Sequence, residues 1–183
     1  KIPKKNKKIR RVYLEPSNVE PMQEAVDALQ EADLIVLGPG SLYTSVISNL
    51  CIEGISKAII SSQAPKLYIS NIMTQPGETN DYDVYDHIKA IHQHAGEPFI
   101  DYVICSNDAF DEQILQRYKE RNAHPVNMNK IKLTENHIKM ITSKNLVEVY
   151  DHVLVRHNTK VLANLIYDLA LELTSTIQFK PKK

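Results

Sequence analysis

Cysteine is scarce in this chain, net charge is absent and long apolar runs are missing, and each shortage narrows what the protein can be. The two cysteines, Cys51 and Cys105, stand far apart in apolar surroundings, so buried free thiols in a reducing cytoplasm are expected rather than a disulfide. Twenty-two basic residues balance 22 acidic ones, a tie that gives no general attraction to nucleic acid or to a membrane surface. No apolar stretch is long enough to span a bilayer, and no signal-peptide pattern opens the sequence. Glycine is also rare, with five in 183 residues, and two of the five fall within a single three-residue turn.

That turn is the most informative stretch. Asp33 to Leu37 reads as a buried strand, Gly38-Pro39-Gly40 as a tight turn, and Ser41 as the N-cap of a following helix. A strand, glycine loop and helix in this order leave backbone N–H groups unpaired at the helix start. Together with the helix dipole they suit a phosphate or carboxylate. The pattern is neither GxGxxG nor a Walker loop, nor the GxSxG elbow of a hydrolase.

Short β patterns alternate with longer helical ones along the rest of the chain. Strands are expected at Ile9–Leu14, Asp33–Leu37, Lys66–Ser70 and Tyr102–Cys105, with shorter pieces at Ile138–Ile141 and Val153–Val155. Helices are expected after Pro21 (through Met22, Ala25, Val26 and Leu29), over Leu42–Asn49 and Ile52–Ser61, and over Asp81–Ala95 with Gly96 closing it. Two more follow, over Asp111–Arg121 and from Asn158 or Thr159 to the end. The alternation predicts an α/β fold with a mainly parallel sheet, helices on both faces and one domain over 1–183. Seven of the first eleven residues are Lys or Arg, which reads as a solvated connection, and Lys180–Lys183 reads as a frayed tail.

In open parallel sheets, ligands bind beyond the carboxyl ends of the strands. That rule selects three polar loops, Gly38–Ser41, Asn71–Asn80 and Ser106–Asp108, and places them along one edge. Gly38, Gly40 and Ser41 are candidates for an anion. Asn71, Thr74 and Gln75 offer hydrogen bonds to ribose, base or sugar hydroxyls, the competing reading being a loop that fastens itself. Arg156 suits bidentate phosphate binding and Tyr118 suits stacking on a base, though each has a plain alternative as surface charge or packing. His87, His92 and His94 share a helix without metal-ligand spacing, so no metal site is expected there.

The run ADLIVLGPGSLYTSVISN, Ala32 to Asn49, resembles the signature of the gluconeogenesis factor (YvcK-like) proteins, relatives of the 2-phospho-lactate transferases. YISNIMTQPGETNDYDVYDHIKAI, Tyr68 to Ile91, is similar to that family's second block. Weaker likenesses continue at Phe99–Val103, Arg117–Lys119 and Val155–His157, while Ser48-Asn49 stands where the family has Pro-Asn. Family members run to about twice this size and open with a Gly-rich strand–loop–helix not found here. The resemblance therefore implies the C-terminal part of a member, with a Rossmann-like three-layer fold incomplete at its N-terminal side.

It further implies a bacterial cytoplasmic regulator that binds UDP-N-acetylglucosamine. Such a protein governs carbon flow into cell-wall precursors, with effects on growth on gluconeogenic carbon sources and on cell shape. The glutamine–fructose-6-phosphate aminotransferase is the implied partner, and a homo-oligomer the implied assembly. Gly38, Gly40 and Ser41 would lie near the diphosphate, Asn71, Thr74 and Gln75 along the cleft, and Tyr118 and Arg156 at the uridine nucleotide. Thr159 is marked as a phosphorylation candidate. No cofactor and no catalytic group are expected. The alternative is a transferase that moves a phospho-lactyl group onto a deazaflavin alcohol, which needs Mg²⁺ and carboxylates such as Asp81, Asp83 and Asp108.

Overall fold

The computed structural model describes residues 8–151 and 153–178, so most of the basic run and the Lys180–Lys183 tail lie outside the described residues. The first helix, α1, covers Gln23–Glu31, with Met22 rather than Pro21 at its boundary, and β1 covers Ile35–Leu37. A π-helical segment, Leu42–Ile47, runs directly into α2 (Ser48–Leu50), and α3 (Glu53–Ser61) leads to β2 (Lys66–Ile69). Then come α4 (Val84–Ala95), β3 (Tyr102–Ser106), α5 (Glu112–Lys119), α6 (Lys130–Glu135) and β4 (Lys139–Ser143). A hairpin of β5 (Val147–Tyr150) and β6 (Leu154–His157) precedes the long α7 (Thr159–Gln178).

Strands β1 to β4 form one parallel sheet in sequence order, and β5–β6 pair antiparallel beside it. The fold is α/β, as the alternation predicts. The register sorts side chains strictly by parity. Leu37, Tyr68 and Val103 stand in line on one face, and Ile69, Ile104 and Ile141 on the other. The first face packs against the π-helical segment, α3 and α4 through Leu42, Ile47, Ile59, Ile88 and Ile91. The second is covered by α7, whose Leu162, Leu165, Ile166, Leu169 and Leu173 follow helical spacing. A leucine fully buried in this way contributes about 1.5–3 kcal/mol.

Three expectations are corrected. Ile9–Leu14 forms no strand. Ile9 and Val12 do pack against the core, but side chains take the backbone groups of Val12: its N–H donates to His94 Nε2 at 3.0 Å and its C=O accepts from Cys51 Sγ at 3.5 Å. Cys51 is accordingly only half-buried, while Cys105 is buried, and both are free thiols. The six-residue α6, which buries only Leu133, was hidden because one apolar contact leaves no period to read.

The three histidines of α4 have structural tasks. His87 Nδ1 donates to Asp83 C=O at 2.8 Å, and His94 Nδ1 donates to Ala90 C=O at 2.7 Å. His92 Nε2 accepts from the N–H groups of Phe99 and Ile100, at 3.3 and 3.2 Å. The helix itself starts with a reciprocal cap between Asp83 and Asp86 and ends at Gly96 with φ of 104°.

Candidate functional site

Because β1, β2 and β3 are parallel, the loops that follow them leave the same edge of the sheet. Gly38 makes the first turn possible: its φ is +91°, and a Cβ there would stand 3.1 Å from Ile69 C=O. The chain then enters the π-helical segment, where Ser41 C=O accepts from both Ser45 N–H and Val46 N–H, at 3.0 and 3.2 Å. Ser41 therefore sits at the helix start as expected, but its side chain makes no cap bond. Its hydroxyl oxygen instead accepts from Gln75 Nε2 at 2.8 Å, which joins the first loop to the second.

The second loop is fastened on both sides. Thr74 N–H donates to His124 C=O at 2.8 Å, and Thr74 Oγ1 accepts from His124 N–H at 3.0 Å. Val126 N–H donates to Ile72 C=O at 2.9 Å, completing a short antiparallel junction around Met73 and Pro125. Beyond it, Gln75 N–H donates to Thr79 Oγ1 at 2.9 Å, and Gly77 N–H to Asn80 Oδ1 at 2.8 Å. The self-fastening reading thus accounts for the Thr74 hydroxyl. It does not account for Asn71 Oδ1 or Gln75 Oε1, both buried acceptors with no hydrogen-bond partner.

The hairpin supplies the opposite wall. His157 Nε2 donates to Ser70 C=O at 3.1 Å, which ties the end of β6 to the end of β2. Val155 N–H donates to Tyr118 Oη at 3.0 Å, which holds the α5 tyrosine against the hairpin beside Ile72, Met73 and Val155. These elements enclose an open cleft of about 650 Å³, a size that suits a small organic ligand.

Gly40, Ser41, Asn71, Thr74, Gln75, Tyr118 and Arg156 all line it. Gly38 does not reach the cleft but shapes the turn behind it. Arg156 is exposed at the cleft and has no ion-pair partner among the described residues. His157 is held neutral, since burial pushes its pKa down more strongly than the Ser70 bond lifts it. Among the described lining residues, then, Arg156 carries the only full charge; the nearest carboxylate across the hairpin is Glu148, which stands opposite Arg156 and accepts from Tyr150 Oη at 2.8 Å without lining the cleft itself.

Sequence reasoning missed Tyr150, Val155, His157 and Leu162 on the same walls, and Thr159 lines the cleft as the first residue of α7. The alternation of Val147 and Val149 against Val153 and Val155 was the available signal for the hairpin that carries three of them.

The third loop behaves differently from expectation. Ser106–Asp108 leaves the same sheet edge but does not line this cleft. Asp108 Oδ1 accepts from Asn145 N–H at 2.8 Å, and its Oδ2 from Val147 N–H at 2.9 Å and from Ser106 Oγ at 3.1 Å. The carboxylate clasps the entry to the hairpin, a structural task.

Asp83 is likewise engaged, by Asn129, Asp86 N–H and Lys132. Burial pushes the Asp83 carboxyl up, but those donors outweigh it and hold it below its ordinary value. Asp81 lies 3.3 Å from His124 Nε2 on a separate surface. Among the described residues no group of three or more His, Cys, Asp or Glu side chains is placed to hold a metal ion, and no helix is long and apolar enough to cross a membrane.

Comparison with known proteins gives consistent matches. The family model described as 2-phospho-L-lactate transferase CofD matches residues 1–146. The gluconeogenesis factor of Bacillus subtilis (strain 168) is 39% identical over 171 residues, which cover 93% of this chain and 53% of that protein. The gluconeogenesis factor of Halalkalibacterium halodurans is 38% identical over 177 residues, 97% of this chain and 54% of that protein. A crystal structure of a Bacillus halodurans protein described as a member of the UPF0052 family superposes with a TM-score of 0.85. It is 39% identical, over 90% of this chain and 53% of that one. The chain thus spans about half the length of the relatives it matches.

Proposed function

The chain belongs to the CofD family, and within it we propose that the cleft binds a nucleotide diphosphate sugar, UDP-N-acetylglucosamine. The observation that carries this reading is the cleft's polarity: Arg156, with no ion pair among the described residues and no carboxylate among the lining residues, together with a glycine turn at a helix start. Such a wall attracts a diphosphate, and the Arg fork can take two of its oxygens. The half-buried ring of Tyr118, positioned by its bond to Val155, offers a stacking surface for the uracil. Asn71, Thr74 and Gln75 line the same cleft beside them. With ligand bound, the protein acts as a sensor that regulates carbon flow into cell-wall precursors. Its readout is contact with the aminotransferase that makes glucosamine phosphate, and the assembly is a homo-oligomer.

The transferase alternative draws on the description of the matching family. Against it, Asp81, Asp83 and Asp108 are all placed away from the cleft, and two of them are spent on backbone and side-chain donors. Incubating the full-length protein with a phospho-lactyl nucleotide donor, a deazaflavin alcohol and Mg²⁺ separates the two. The sensor reading predicts UDP-N-acetylglucosamine binding without turnover; sustained product formation would replace it with the transferase.

A further inference from the structure

In a β-hairpin, side chains two apart share a face, and residues paired across the strands stand side by side. In β5–β6, Val147 and Val155 pack inward with Ile72, Met73 and Tyr118. The other face carries Glu148, Tyr150, Leu154 and Arg156, with Glu148 in register with Arg156 and Tyr150 with Leu154. Opposite charges so placed ordinarily join as a cross-strand pair. Here they do not, and no ion pair of Arg156 is found among the described residues. Glu148 turns along its own strand instead, where its Oε2 accepts from Tyr150 Oη at 2.8 Å. That bond also holds the Tyr150 phenol above its ordinary value. Tyr150 and Arg156 both line the cleft, and Glu148 does not.

We propose that Tyr150 is a positioning residue for Arg156 and acts through Glu148. Its hydroxyl engages the carboxylate that the strand register sets beside the guanidinium, so the Arg156 fork stays open to an anion in the cleft. Released from Tyr150, Glu148 closes onto Arg156 and competes with the ligand for the same N–H donors. The hairpin thus carries both charges yet presents only the positive one to the cleft. Because the competing pair is exposed, its strength is that of a cross-strand surface pair, which sets the effect on affinity at about 2- to 5-fold. This inference rests on the reading of Arg156 as the anion-binding group, and it holds whichever phosphorylated ligand brings the anion.

Calorimetric titration of the full-length protein tests it, with UDP-N-acetylglucosamine and inorganic pyrophosphate as the two probes. The variants are Tyr150→Phe, Glu148→Gln and their double. Tyr150→Phe keeps the ring and removes only the hydroxyl, and it is expected to weaken both probes by about 2- to 5-fold. Glu148→Gln removes the competitor and a negative charge near the anion, so it must bind at least as tightly as the wild type. The double variant is then expected to match Glu148→Gln within about 1.5-fold, because without the carboxylate the hydroxyl has nothing to hold back. A Tyr150 hydroxyl that touched the ligand, or served only the hairpin's stability, would cost the same factor in both backgrounds. Equal losses in the two backgrounds, a weaker Glu148→Gln, or wild-type affinity in Tyr150→Phe would overturn the proposal.

The Arg156 Nε–H resonance, identified by its loss in Arg156→Ala, reads the same competition without any ligand. It is expected to shift in Tyr150→Phe, as Glu148 takes the guanidinium, and to return in the double variant to its place in Glu148→Gln. A resonance that does not move in Tyr150→Phe contradicts the proposal. If the wild type takes pyrophosphate but not UDP-N-acetylglucosamine, the nucleotide-sugar reading falls, and the Tyr150–Glu148 unit is judged on pyrophosphate and on the resonance. A wild type that binds neither probe removes Arg156 from anion binding and overturns both.

Discussion

His157 donates its Nε2 proton to the carbonyl oxygen of Ser70 at 3.1 Å, linking residues 87 positions apart in sequence. This bond joins the last residue of β6 to the residue that follows β2, and so sets the β5–β6 hairpin, with Arg156 on it, against the mouth of the parallel sheet. His157→Ala removes it and leaves the Ser70 carbonyl unpaired. The expected cost is about 1 kcal/mol of stability together with weaker ligand binding, because Arg156 loses its fixed approach. His157→Gln, which keeps a side-chain N–H, recovers part of both. Denaturant titration and calorimetry on the same variants check this; a variant with full affinity would show that the hairpin is held by packing alone.

The glycine turn gives a sharper test of backbone geometry. At Gly38 an added Cβ meets both a positive φ and the Ile69 carbonyl, while at Gly40 it would lie 2.9 Å from Ser45 Cβ. Gly38→Ala is expected to cost about 1–2 kcal/mol and to displace the Ser41 hydroxyl, lowering affinity as well as the thermal midpoint. Equal stability and unchanged binding would show the turn to be a passive connection.

Acid sensitivity follows from the buried imidazoles. Burial pushes His92 from its ordinary 6.5 down to about 4, and pushes His87 and His157 down as well. A folded pKa below the unfolded one means that the unfolded chain binds protons first. The contribution of these rings is therefore complete above about pH 6.5 and is lost as the pH falls through their folded values, which for His92 is about 4. For His92, whose ring is partly exposed, the loss is about 2 kcal/mol after allowing for solvent screening. His92→Gln keeps an acceptor for the Phe99 and Ile100 N–H groups without a titrating ring, so it should flatten the stability profile over pH 6.5–4. An unchanged slope would assign the acid sensitivity to other groups.

Asp108 distinguishes a structural carboxylate from a chemical one. Asp108→Asn turns an NH₂ toward Val147 N–H or Asn145 N–H, setting donor against donor, at an expected cost of about 2 kcal/mol. Asp108 does not line the cleft but clasps the hairpin that carries Arg156, so ligand affinity should fall no further than in His157→Ala. A folded Asp108→Asn protein that lost binding where His157→Ala kept it would bring the carboxylate into the site and favour the transferase reading.

Much of this arrangement was legible in the sequence because it rests on local signals. The run Asp33–Leu37 with its glycine turn, the Leu67–Ile69 core strand and the periodic leucines of α7 each announce themselves through spacing alone. The parallel sheet followed from their alternation, and with it the edge at which the loops gather. Long-range partners were not legible. That Ser41 would spend its hydroxyl on Gln75, 34 residues away, instead of on its own helix depends on where two loops meet.

The same holds for Ile9–Leu14, whose short apolar run Val12-Tyr13-Leu14 promised a strand but whose backbone found His94 and Cys51. Asp108 looked like a site residue because it follows a strand, and the hairpin that claims it lies almost 40 residues further on. A short helix with one buried leucine, such as α6, leaves too few apolar positions to show a period. The resemblance to the gluconeogenesis factor (YvcK-like) family was carried by two contiguous blocks, which is why it could be read before any fold was known.

The most direct test of the central claim is calorimetric titration of UDP-N-acetylglucosamine into the full-length protein, alongside Arg156→Ala. Saturable binding by the wild type that weakens by 10-fold or more, about 1.4 kcal/mol, in Arg156→Ala is the result this account predicts. Absence of binding by the wild type, or equal affinity in the variant, would contradict it.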